Sequence, residues 1–246
     1  MPRIRLTVAY VGTNYQGWQV QGKGATVQGT IEDRLARICQ QPVRLHGSGR
    51  TDSGVHALAQ VAHFDAPESK RHIPWQQALN SMLPGDIAIL EALEVSDEFH
   101  ARFSVRSKRY AYTIWTEPGF TLPQRAPFVW PVRGLDLKAM DQAAALLAGT
   151  HDFAAFQNAG TEIKGTVRTL EPIVRAQGQH PVEWVFYFQA DGFLKQMVRN
   201  LMGLLVEVGR GGLAPQDARA ILQGCDRRRA PATAPAKGLT LEEVIY

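Results

Sequence analysis

Residues 43–64 read VRLHGSGRTDSGVHALAQVAHF. The short apolar run Val43–Leu45 predicts a strand, and Ala57–Phe64 predicts a second, longer one. Between them Gly47 to Gly54 is polar and glycine-rich and reads as a loop. An arginine and an aspartate stand on that loop, at Arg50 and Asp52, bracketed by three glycines.

Upstream, Ile4, Leu6, Val8 and Tyr10 alternate with Arg5, Thr7 and Ala9, the period of a strand with one buried face. Gly12 to Gly24 holds four glycines and reads as a loop. Val27, Ile31, Leu35 and Ile38 recur at helical spacing behind Thr26, which can cap the first turn. Downstream, Ile73–Leu83 predicts a helix with Pro74 in its first turn, stopped by Pro84-Gly85. Ile87–Leu93 and Arg109–Trp115 predict strands, the second with Tyr110, Tyr112 and Ile114 on one face. Four prolines between Glu117 and Arg133 mark a looser connection.

The second half uses the same recipe. Asp136–Leu147 predicts a helix capped by Asp136 and ended near Gly149. Thr169–Ala176 and Val182–Ala190 predict strands, the latter aromatic enough to be covered on both faces. Phe193–Val208 predicts a helix apolar nearly all round, with a polar strip at Lys195, Gln196, Arg199 and Asn200. Pro215–Gln223 predicts a short helix closed by Gly224, and Leu239–Ile245 a last strand. The fold class is therefore α+β: two tandem units, 1–104 and 105–246, joined within residues 104–135. The strand-helix-strand-strand rhythm of each half reads as a duplicated ferredoxin-like module.

Composition bounds the function. The chain has 246 residues, 45% hydrophobic and 20% charged, which excludes a disordered, collagen-like or coiled-coil protein. Lys and Arg number 27 against 23 Asp and Glu, a net charge of +4 that leans mildly toward polyanionic partners. The two cysteines, Cys39 and Cys225, have no metal-ligand spacing and suggest no disulfide scaffold, so a reducing, cytoplasmic setting is expected. The N-terminus carries no apolar signal-peptide core. The apolar run Leu201–Val208, broken by Glu207, is far shorter than the roughly 20 residues of a membrane span. A soluble protein with no membrane partner is the expectation.

Three clusters carry possible chemistry. On the Gly47–His56 loop, Asp52 can serve as a nucleophile or general base, or can simply cap the turn or pair with Arg50. Arg102, Arg106, Lys108 and Arg109 lead into Tyr110 and Tyr112; cations interleaved with aromatics suit phosphates and stacked bases, and equally a solvated strand edge. On the late helix, Lys195 and Arg199 stand at i, i+4, a strip that pairs with a carboxylate or faces water. His46, His56 and His63 lack the spacing of a metal site, and no metal is expected. The Arg227–Arg229 run reads as a solvated loop or a phosphate contact.

Taken together, these stretches resemble the tRNA pseudouridine synthase A family. Residues Gly49 to Ala57 match its signature around the catalytic aspartate. Tyr10 to Gln19 is similar to its opening strand and loop, and Phe99 to Ser104 followed by Lys108-Arg109-Tyr110 to its middle motif. Met197 to Asn200 and Pro235 to Leu239 are similar to its late helix and closing segment. Val11 stands where the family often has Asp, and Lys195-Gln196 where aromatic or His residues are common.

The resemblance implies a pseudouridine synthase fold, with a central mixed, mainly antiparallel sheet and a cleft between the halves. It implies isomerisation of uridine to pseudouridine at positions 38, 39 and 40 of the tRNA anticodon stem and loop. Asp52 would be the catalytic nucleophile, and Arg199 would pair with it. Arg50 would lie beside the flipped nucleotide, and Tyr110 would stack on the target uracil. Arg102, Arg106, Lys108 and the Arg227–Arg229 run would meet RNA phosphates. The isomerisation involves no net redox change or hydrolysis, so no cofactor is required. A homodimer is implied as well. Two rivals are a non-catalytic RNA-binding protein of the same fold and a carboxylate-dependent glycosylase that releases uracil.

Overall fold

The computed structural model describes residues 1–158 and 165–246. In chain order the strands and helices are β1 (Arg3–Tyr10), α1 (Val27–Cys39), β2 (His46–Gly47), β3 (His56–Asp65), α2 (Trp75–Asn80), β4 (Ile87–Val95), β5 (Ser107–Trp115), β6 (Trp130–Pro131), α3 (Leu137–Ala145), β7 (Gly149–Asp152), β8 (Val167–Leu170), β9 (Val174–Gln177), β10 (Glu183–Ala190), α4 (Met197–Gly209), α5 (Asp217–Gly224) and β11 (Leu239–Ile245). The class is α+β, as expected. Residues Met1–Arg106 with Thr240–Tyr246 form one compact unit, and Ser107–Leu239 form the other. Among the described residues no helix is long and apolar enough to cross a membrane.

In the first unit β1 lies between β3 and β4, antiparallel to both. Its alternation is realised without exception: Ile4, Leu6, Val8 and Tyr10 are buried. β11 adds to β3 in parallel through Thr240–His56 and Leu241–Ala57, which makes the sheet mixed. The β1–β3 register slips by one residue between Val8 and Tyr10, a bulge at the end of the strand nearest the Asp52 loop. Helix α1 begins where Thr26 marks it: the hydroxyl accepts from Gly29 N at 3.2 Å. Helix α2 is shorter than its sequence pattern, ending at Asn80.

In the second unit β10 pairs antiparallel with β5 along its whole length, and β6 joins β5 in parallel. The stretch predicted as one strand over Thr169–Ala176 is two, β8 and β9. Both pair with β10, but the partner register moves from Leu170–Ala190 to Val174–Tyr187, so one extra residue is accommodated between them. Pro172 lies in that gap and has no N–H to give a continuous ladder. Strand β7 was not foreseen; its Gly149 and Asp152 ends pair with β8.

Candidate active site

The Asp52 loop is fixed mainly through backbone. Two residues of β2, not the expected Val43–Leu45, pair with β3 (His46–His63 and Gly47–Ala62). The buried Gln60 side chain then pins the loop's start: Ser48 Oγ donates to its Oε1 at 2.6 Å, and its Nε2 donates to Gly49 O at 3.1 Å. On the other side Trp18 N donates to Thr51 O at 3.1 Å, and the Tyr10 and Thr51 hydroxyls are bonded at 2.8 Å. Burial raises the Tyr10 phenol above its ordinary pKa, so it stays a neutral hydroxyl.

Glycines let the 12–18 segment come this close. A Cβ on Gly12 would sit 1.9 Å from Val55 O, and one on Gly17 would sit 2.4 Å from Thr51 O. Gly17 also has φ +81. Gly12 N donates to His56 Nδ1 at 3.1 Å, so His56 serves as an acceptor that closes the loop's far end. The residues so held form a turn in which Val55 N donates to Asp52 O at 3.1 Å, with Gly54 at φ +79.

Asp52 is half-buried on this turn. Arg50 is exposed, and no ion pair joins it to Asp52 among the described residues. The reading of the pair as a local structural salt bridge therefore fails, and the intervening Thr51 is turned inward to Tyr10.

In the second unit Tyr110 and Tyr112 point to one face of β5 but differ in use. Tyr112 is wholly buried and donates to Pro235 O at 2.7 Å; burial raises its pKa. Tyr110 retains 8% exposure and meets Phe193 edge-on at 5.1 Å. Arg199 is half-buried on α4 and tied to the closing segment: its Nε donates to Ala234 O at 2.8 Å, and Ala234 N donates back to Arg199 O at 3.1 Å.

The polar strip on α4 is not a solvated face. The helix starts at Met197, so Lys195 precedes it and the i, i+4 relation to Arg199 is not realised. Gln196, before the first turn, has φ 62, a left-handed position costly for a side chain with a Cβ. Asn200 is fully buried: it donates to Phe156 O at 2.8 Å and accepts from Thr233 Oγ1 at 2.7 Å and from Arg227 at 3.1 Å. Arg227 also donates to Ala230 O and Pro231 O. It is thus an internal strut rather than the phosphate contact its run suggests, while exposed Arg228 is paired to Asp226 at 2.8 Å. The sequence signal that could have found this network is the unfavourable burial of an amide on an apolar helix, which demands partners. Arg102 and Arg106 are exposed in the first unit, and Lys108 is half-buried on β5.

The chain is similar to known proteins along its whole length. The family model described as tRNA pseudouridine synthase matches residues 6–104 and 143–246. The chain is 55% identical to the tRNA pseudouridine synthase A of Solidesulfovibrio magneticus, over 100% of this chain and 92% of that protein. It is 51% identical to the protein of that name from Oleidesulfovibrio alaskensis, covering 100% of this chain and 97% of the other. Against the one from Syntrophotalea carbinolica the identity is 44%, over 100% and 97%. A match of this extent, carried through both units, places the chain in the tRNA pseudouridine synthase family.

Proposed function

We propose that this chain, an isomerase acting on tRNA, converts uridine to pseudouridine at positions 38, 39 and 40 of the anticodon stem and loop, with Asp52 as nucleophile. The observation that carries the reading is Asp52 itself. It lies on a turn held by Gln60, Trp18, Tyr10 and His56, inside the Gly49–Ala57 stretch that matches the family signature. A carboxylate fixed on such a support is preorganised for attack.

The N1–C1′ bond breaks, the uracil turns, and C5 joins C1′; C5 then loses a proton and N1 gains one. Formula and oxidation state are unchanged, so the reaction needs no oxidant, reductant or cofactor. Asp52 attacks the sugar or the base after the nucleotide leaves its stack, an extrusion that costs a few kcal/mol. Arg199, whose guanidinium is oriented through Ala234, is the cation that pairs with the Asp52 carboxylate in this reading. Tyr110 offers its ring to the uracil, and exposed Arg50 lies beside the extruded nucleotide. Phosphate contacts from Arg102, Arg106 and Lys108 offset the extrusion. The enzyme acts in the cytoplasm as a homodimer.

The test is tritium release from a tRNA transcript labelled at uridine C5. Wild type releases tritium and leaves pseudouridine in the digest. Asp52→Asn lowers the rate by about 1,000-fold or more while still binding tRNA. Free uracil as product, or undiminished release by Asp52→Asn, overturns the assignment.

A further inference from the structure

The turn at residues 100–104 in the first unit is built more firmly than an ordinary surface loop. His100 N donates to Ser104 Oγ at 3.1 Å, and Ser104 N donates back to His100 O at 3.0 Å. Three consecutive amides then find imidazole acceptors. Ala101 N donates to His63 Nδ1 at 3.1 Å, while Arg102 N and Phe103 N donate to His100 Nδ1 at 3.1 and 3.3 Å. The carbonyl of buried Ala101 accepts from the Tyr246 hydroxyl at 2.7 Å.

All this order presents one apolar side chain to water. Phe103 is 75% exposed. Its ring lies at a shallow tilt on His100, with centroids 4.3 Å apart, and the Arg102 guanidinium stands 5.6 Å from its centre. Its neighbours Arg102, Ser104 and Arg106 are exposed and polar. A ring flanked in sequence by polar and cationic residues is a poorer seat for a protein partner, which wants a contiguous apolar patch, than a cluster of apolar side chains would be. It suits a nucleobase, whose flat face stacks on the ring while its phosphate meets the arginine.

We propose that Phe103, backed by His100 and flanked by Arg102, is a stacking site for an unpaired base of the tRNA. The inference rests on tRNA being the substrate. The ring needs no rearrangement to bind, because the turn is already fixed in the free protein.

The experiment measures the Kd of an unmodified tRNA transcript at several salt concentrations, with full-length protein. Phe103→Ala and Phe103→Leu weaken binding roughly 5- to 150-fold, the worth of one base–aromatic stack, and Phe103→Trp stays close to wild type. The slope of log Kd against log salt is steep in wild type and unaltered in Phe103→Ala, but becomes shallower by about one phosphate contact in Arg102→Ala. Wild-type affinity in Phe103→Ala overturns the proposal. So does full affinity in Phe103→Leu, which would make the ring a plain apolar contact. A change in light-scattering mass of Phe103→Ala without RNA would reassign the ring to a second copy of the chain. Wild type that binds the transcript without forming pseudouridine defeats the proposed activity alone, because the Phe103 comparison reads affinity rather than turnover.

Discussion

His63 and His100 are acceptors in this fold, and an acceptor imidazole must be neutral. Burial, then the charges of His100, Arg3 and His46, lowers the His63 pKa to about 4; Asp65 opposes this weakly. His100 is lowered as well, by burial and by His46, Arg3 and Arg102. Between the ordinary 6.5 and about 4, the unfolded chain binds a proton at His63 that the folded chain refuses. Stability is therefore full above about pH 6.5, falls as pH drops toward 4, and levels off below. Asp65, held below its ordinary value by Arg3, adds its own loss only at lower pH. Urea midpoints at pH 7, 5.5 and 4.5 check this. His63→Gln, which keeps an acceptor and cannot titrate, should flatten the dependence; an equally steep fall would remove His63 as its cause. None of this is legible in the sequence, where His46, His56 and His63 read only as a weak metal candidate. His46 and His63 stack at 5.1 Å, but His56 turns to Gly12 and His100 arrives from 37 residues beyond His63.

At the scale of elements, sequence patterns located all five helices among the described residues and the long strands β1, β3, β4, β5, β10 and β11, but not the short strands β2, β6 and β7, because periods of 2.0 and 3.6 follow from backbone geometry and need several residues to show. They missed where packing or an amide decides the boundary. The β8–β9 break follows from Pro172, and the late start of α4 from Gln196 adopting a left-handed backbone. The contact between the 12–18 segment and the Asp52 loop is another such feature, since a glycine signals freedom but not what approaches it. Gly12→Ala must drive a methyl into Val55 O, whereas Gly22 has nothing within 4 Å of its Cβ position. Gly12→Ala should cost about 1–3 kcal/mol or more in stability and should cut activity by displacing Asp52, while Gly22→Ala stays near wild type. Chemical denaturation and the tritium assay on both variants decide it; equal behaviour would show that the two loops separate at no cost.

At the scale of the whole molecule, the homodimer rests on family resemblance. Light scattering at micromolar concentration should give twice the 27.2 kDa chain mass, and a mass near 27.2 kDa would remove the dimer. The α+β class, the glycine-rich loop bearing Asp52 and the family itself were determined by the sequence, because local periodicity and an ordered series of motifs are properties of the linear chain. The tertiary structure alone decided which groups meet. A strand pattern specifies a buried face but not a partner, so nothing local announces that β11 closes onto β3 in parallel beside His56. A charge run says nothing of which arginine turns inward, and only the buried Asn200 amide, with acceptors at Ala230 and Pro231, makes that residue Arg227. Such pairings are settled by long-range burial and hydrogen-bond satisfaction, which exist only once the chain has folded.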